Sequence, residues 1–190
     1  AVPLCIDHRR SMLYNIHIFR TIDMRIHTGS KGEFIMFREM RLKDQALSRA
    51  EIEDILAKTT HGTLALNGDD GYPYSVPVNF VYSDGKIYFH GISEGYKFDC
   101  MSRDDKVSFS VVGMEDVKSD KFTSDFSSVI IFGRVKILKE REEKLQAMYK
   151  MVGKFSPDHM EGGRKYAENG CEACGYEITI EHMTGKRAEI

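Results

Sequence analysis

Nowhere in these 190 residues does an apolar run approach the roughly 20 residues a bilayer-spanning helix needs, so no membrane partner is expected. An excess of charge of one sign is also missing. Lys plus Arg number 27 against 29 Asp plus Glu, a formal net charge of -2, which gives no electrostatic reason to expect nucleic acid as a partner. Cysteine is sparse: Cys5, Cys100, Cys171 and Cys174 are too few and too unevenly placed for a disulfide framework. Arg9, Arg10, Arg20 and Arg25 interrupt every apolar stretch that could serve as a secretory leader, so a cytoplasmic location is expected. GxSxG, HExxH, Walker A and GxGxxG signatures are absent, which removes support for the common hydrolases, zincins and nucleotide-binding enzymes. An enzyme built from this sequence would leave the difficult chemistry to a bound cofactor.

Cys171 and Cys174 form a CxxC pair, which can bind zinc or cycle as a dithiol. A structural zinc site needs four ligands, and His159 and His182 stand singly at arbitrary spacing. No metal is expected, and a zinc-binding interaction protein is the weakest of the readings kept open. Residues 1–35 read as an N-terminal extension outside the fold, disordered or foreign to it. The domain is expected over 36–190, beginning with MFREMR.

Most of the site chemistry gathers between Gly71 and Lys97. Residues 74–82 are rich in aromatic and β-branched side chains and read as one strand. Asp84-Gly85 is a hairpin signal, and 86–90 returns as the next strand. Pro77 cannot donate to a ladder, so it predicts either a break in pairing or an ordinary edge strand. At a break, the backbone of Val76, Val78 and Asn79 would face a ligand. Ser93 is expected to cap a helix over 94–103 that places Lys97 in its first turn beside His90 and Gly91, a cradle for an anion. Plainer roles compete: Lys97 as a solvated surface lysine, His90 as a half-buried strand residue.

Around this segment, Ser48 and Glu51 form a capping box for a helix over 49–58, with Ile52, Ile55 and Leu56 at helical spacing. His61-Gly62 is expected to end that helix. Residues 63–66 read as a short strand forming a hairpin with the segment after it. Strands are expected over 107–112, 128–138 and 176–181, with Gly133 marking a bulge or a close approach. Residues 114–126 read as a loop, a lid or a partner-facing arm. Residues 140–152 read as a helix, and 157–170 as a mobile segment. Six closely spaced strands with two or three helices make a mainly β fold, a small antiparallel barrel with flanking helices.

GYPYSVPVNF, DGKIYFHG and EGYKFD, in that order and spacing, resemble the FMN-binding split-barrel proteins of the pyridoxamine 5'-phosphate oxidase-like superfamily. MFREMR, TLAL at 63–66 and TGK at 184–186 make the sequence more similar to its nitroimidazole resistance branch. The resemblance covers about residues 36–187. It implies a six-stranded antiparallel split barrel and a homodimer with FMN at the subunit interface. The implied activity is an FMN-dependent oxidoreductase that reduces a small electron-poor acceptor, as a nitroimidazole reductase does. Val76, Pro77, Val78 and Asn79 would line the isoalloxazine; His90, Gly91 and Lys97 would meet the phosphate end; Ser127 and Ser128 would be further contacts, from the second subunit. His90 is also the candidate catalytic residue facing substrate. No tryptophan is present, so the C-terminal signature of true pyridoxamine phosphate oxidases has no counterpart. A non-catalytic split barrel that binds flavin or haem is the alternative.

Overall fold

Seven strands form one antiparallel sheet in the computed structural model, which describes residues 37–169 and 174–189. The expected extension over 1–35 and Cys171 lie outside the described residues. In chain order the strands are β1 (His61–Asn67), β2 (Pro73–Asn79), β3 (Val81–Ser83), β4 (Lys86–Gly91), β5 (Lys106–Lys118), β6 (Thr123–Leu138) and β7 (Cys174–Ala188). Four helices flank them: α1 (Arg49–Lys58), α2 (Tyr96–Arg103), α3 (Arg141–Phe155) and α4 (Met160–Glu168). The strand order is β2-β1-β5-β6-β7-β4-β3, so the sheet begins and ends on strands that are consecutive in the chain. Chain continuity through Phe80 draws the two edges together without a ladder between them, which is the split of the barrel.

The mainly β split-barrel expectation is met, with one strand more than the six expected. Residues 74–82 are two strands because Phe80 leaves the ladder, buries its ring fully, and donates its N–H to Thr60 O at 3.2 Å. Phe80 packs edge-on to Phe109, at 5.1 Å between ring centroids, inside the barrel. Pro77 causes no break. The β1–β2 register runs unshifted from His61↔Asn79 to Asn67↔Pro73, and Pro77 sits on an edge strand, where proline is tolerated. The Asp84-Gly85 turn closes β3 onto β4 with Ser83 opposite Lys86. Both turn residues have φ near +54° and +73°, the left-handed values such a two-residue hairpin demands.

Ile52, Ile55 and Leu56 are buried under α1, and Ser48 and Glu51 make the capping box reciprocally. The helix ends at Thr59; His61 and Gly62 already belong to β1. Gly133 serves both functions expected of it. The β6–β7 register shifts there, and a Cβ would come within 2.3 Å of Thr179 O.

Two segments depart further from expectation. Residues 114–126 are not a loop, because β5 and β6 continue past the barrel as a ladder from Met114↔Ser127 to Lys118↔Thr123. Residues 112–117 of β5 are exposed, so no alternation of apolar and polar residues betrays this strand; pairing continued from the buried part of the ladder extends it. Of the segment 157–170, expected to be mobile, residues 160–168 form α4. Gly163 enables this packing: a Cβ there would meet Val152 Cγ1 at 2.5 Å, so glycine lets α4 lie close on α3. Tyr149 on α3 donates to Glu168 at 2.7 Å and ties the far end of the pair.

Candidate functional site

Two glycines shape the corner where β4 leads into α2. Gly95 is the N-cap of α2 at φ 88°, so the helix begins at Tyr96 and Ser93 does not cap it. This left-handed conformation suits glycine, and glycine brings no side-chain oxygen to the first amides of the helix. Lys97 in that first turn folds back over Gly91, where a Cβ would stand 2.9 Å from its Nζ. Beneath the ammonium, the Phe89 and Tyr176 rings stack at 4.9 Å and lie 6.0 and 5.9 Å from it. Tyr176 donates its hydroxyl to Ile92 O at 2.8 Å, which pins the β4–α2 connection to β7.

Lys97 is half-buried, and among the described residues no carboxylate pairs with it. Burial pushes its pKa below the ordinary lysine value. Ring faces give such a cation some attraction but take none of its three donors. His90, next to Gly91 on β4, keeps much of its surface open. Partial desolvation first, and the Lys97 charge second, hold its pKa below 6.5, so the imidazole is neutral at pH 7. Burial also raises the phenol of Tyr176, which keeps it protonated.

β2 brings the other expected residues to the same end of the barrel. Val76 and Val78 turn inward against the core, whereas Pro77 and Asn79 face out. Because β2 is an edge, the backbone groups on its outer side have no partner strand among the described residues. Phe80 N–H to Thr60 O and Gly68 N–H to Tyr72 O fix the parity of the unshifted β1–β2 ladder, so Val76 and Val78 spend their backbone groups on β1, whereas Pro77 and Asn79 turn theirs outward. Asn79 and His90 together rim a groove of about 480 Å³ against α3 and α4.

Ser127 and Ser128 are not brought to this place within one chain. His90 lies opposite Gly175 at the start of β7, and Ser128 lies opposite Lys186 near its end. Extended strand between those positions spans roughly 36 Å. Ser127 is buried, its Oγ 2.7 Å from where a Cβ on Gly113 would sit, while Ser128 opposes Val112 on the outer face of the sheet.

Two groups of residues escaped the sequence reading. Phe89 and Tyr176, which form the floor under Lys97, read only as residues of the strands expected over 86–90 and 176–181. The groove walls come from Met148, Met151, Phe155 and Tyr166 on α3 and α4, and with α4 unrecognised no groove could be seen. Its one sequence trace is Met160, Gly163 and Ala167 at helical spacing. Cys174 is a buried free thiol opposite Gly91, and among the described residues no cluster of His, Cys, Asp and Glu could hold a metal. Among the described residues no helix is long and apolar enough to cross a membrane.

Residues 48–187 match the model of a protein family described as pyridoxamine 5'-phosphate oxidase. No curated protein matches the chain. Among solved structures, a protein of Bacteroides thetaiotaomicron named for 5-nitroimidazole antibiotic resistance is 21% identical, with a TM-score of 0.64 over 75% of this chain and 86% of its own. An FAD-binding protein of Mesorhizobium loti is 24% identical, with a TM-score of 0.53 over 76% of this chain and 98% of its own. The FAD and heme binding protein of Mycobacterium smegmatis is 19% identical, with a TM-score of 0.65 over 77% and 74%. At these identities the likeness is one of fold.

Proposed function

Because the chain belongs to the pyridoxamine 5'-phosphate oxidase family over residues 48–187, we propose that it is a flavin-dependent oxidoreductase. In this reading FMN lies across the β2 edge and the Lys97 corner. The observation that carries the proposal is the half-buried Lys97 ammonium, folded over Gly91 and lacking a carboxylate partner among the described residues. A desolvated cation with three unspent donors fits a phosphate dianion, which would compensate it with charge-assisted hydrogen bonds. FAD-binding neighbours of the same fold support a flavin as the ligand.

Bound FMN would supply the redox chemistry; the chain's own residues bind and orient. Lys97 holds the phosphate, with the first-turn amides of α2 beside it. The outer backbone of β2 falls to the Pro77 carbonyl and to Asn79, which can hydrogen-bond the polar edge of a flat heterocycle, while Val76 and Val78 hold the strand to β1 and the core. His90, neutral at pH 7, can accept a proton at one ring nitrogen or donate one at the other, which suits a residue facing a small electron-poor acceptor of the nitroimidazole kind.

A second copy of the chain completes the proposed site. Val112, Ile130 and Phe132 are exposed apolar side chains on β5 and β6, with Ser128 beside Val112. A sheet face of this kind is a dimer surface in character, and it would carry Ser128 to a partner's cofactor, while the buried Ser127 stays inside its own barrel.

The test is to titrate the purified protein with FMN and follow flavin fluorescence. Binding at micromolar levels is expected, and Lys97→Met should weaken it by about 1.5 to 3 kcal/mol, the loss of a charge-assisted hydrogen bond. No binding by the wild-type chain would end the flavin reading. For the dimer, Phe132→Asp should convert a two-chain mass by light scattering into a one-chain mass; a wild-type monomer would remove the partner from the site.

A further inference from the structure

The groove beside His90 differs in chemistry from the Lys97 corner. Met148, Met151 and Phe155 on α3 form one wall and Tyr166 on α4 the other, so a polarisable, largely apolar surface faces inward. Gly162 leaves the space beside α4 open: a Cβ there would meet nothing within 4 Å. Both glycines line the groove, but a Cβ on Gly163 would meet Val152 at 2.5 Å, so only Gly162 has room for a side chain.

No lysine, arginine or carboxylate lines the groove. Four cations of the two helices are committed elsewhere. Lys150 pairs with Asp84 at 2.7 Å, Lys154 donates to Thr59 O at 2.6 Å, Arg164 sits over the Tyr149 ring, and Lys165 pairs with Glu161. Besides the Tyr166 hydroxyl, its polar side chains are Asn79 and His90 from the strands and Ser156 and His159 from the turn between the helices. A charged guest would lose hydration here without a counter-charge, whereas a neutral ring would lose little and gain contact.

We propose that this groove binds an uncharged aromatic molecule, its ring against Met148, Met151 and Phe155 and its polar substituent toward Asn79 and His90. The inference rests on the reading above that His90 faces substrate, and it names the substrate's chemical class. A cavity of about 480 Å³ holds a molecule of one or two rings.

The experiment uses the full chain carrying 13C-methyl methionine, with the Met148 and Met151 signals assigned by leucine substitution. Nitrobenzene is the neutral probe and benzoate its charged counterpart. Saturable movement of both methyl signals with nitrobenzene is expected, with benzoate binding at least tenfold more weakly. Gly162→Leu fills the open space and should weaken nitrobenzene tenfold or more. The same change improves helix propensity, so its melting temperature should hold or rise. If that variant folds poorly, Gly162→Ala should still cost several-fold in affinity. Unmoved methyl signals, an equal response to benzoate, or undiminished binding in the filled variants would overturn the proposal. Competition between FMN and nitrobenzene for the same two signals would give the groove to the cofactor and overturn it as well. Flavin fluorescence, read separately, keeps the two readings apart. FMN binding without methyl movement sinks the groove alone, and methyl movement without FMN binding sinks the flavin alone.

Discussion

Lys97 and Lys154 make an instructive pair. Both are half-buried, both lie near aromatic rings, and burial lowers the pKa of each. They differ in what the ammonium touches. Lys154, near the end of α3, donates to Thr59 O at 2.6 Å and Leu56 O at 3.4 Å and stands 4.6 Å from the Phe80 ring centroid. It closes the carbonyl end of α1, where the helix dipole favours a cation. Lys97 has ring faces and no oxygen acceptor among the described residues. A desolvated cation satisfied by carbonyls is part of the structure; one left with its donors unspent is placed for an anion.

The pair can be broken by substituting each lysine with methionine, which keeps the apolar stem and removes the charge. The largest effects should be opposite in kind. Lys97→Met should lose FMN affinity as stated above and leave unfolding in urea unchanged or slightly more costly, since a desolvated charge is gone. Lys154→Met should lose about 1 to 2 kcal/mol of unfolding free energy, because two carbonyls of α1 lose a charged donor, and keep its FMN affinity. Equal stability losses in both variants would show that Lys97 is also structural, and the contrast would fail.

A smaller effect is expected at Gly91. Alanine there would put a Cβ 2.9 Å from Lys97 Nζ and 3.4 Å from Tyr176 Cε2. The lysine end is flexible, so the fold should tolerate the change with a melting temperature shifted by a few degrees at most. The ammonium, however, must move off its place over the strand. FMN should bind several-fold more weakly in Gly91→Ala, and the loss should vanish when Lys97 is already methionine. A loss that persists in the double variant would assign the effect to the strand itself.

What the sequence showed and what it hid follow the same division. Ser48 with Glu51, Asp84 with Gly85, and the alternation around Tyr176 are local signals, and each element they announce is present. The Lys97 corner was legible because its residues are close in sequence and belong to a recognisable motif. Pro77 leaves a break and an ordinary edge strand both open in the sequence, since a proline's meaning depends on whether its strand is an edge, and edges are decided by distant pairing; the structure has the edge. The β5–β6 extension was hidden because a strand exposed on both faces has no alternating pattern. α4 was hidden because Gly162 and Gly163 read as breakers until Val152 is seen to occupy the space that a side chain at Gly163 would need. Lys154 gave no signal at all: its acceptors are about 95 residues away.

The smallest expected effect concerns His90 and sharpens the comparison most directly, because it reads the Lys97 charge from a neighbour. Two causes depress the His90 pKa: desolvation, the larger, and the Lys97 ammonium. A base with a folded pKa below its unfolded 6.5 binds fewer protons when folded, in the window between the two values. Stability therefore rises with pH across that window and is lost as pH falls through it. In Lys97→Met the charge is gone while burial remains, so the His90 pKa should move up part of the way, and the window should narrow from its acid side. Bound phosphate would offset the same charge, so FMN should move the wild-type pKa in the same direction. Imidazole proton shifts against pH, with the His90 resonance assigned by His90→Gln, measure all three states. An unmoved His90 pKa in both Lys97→Met and the FMN complex would mean that the ammonium does not act on the imidazole, and that the two residues serve separate sites.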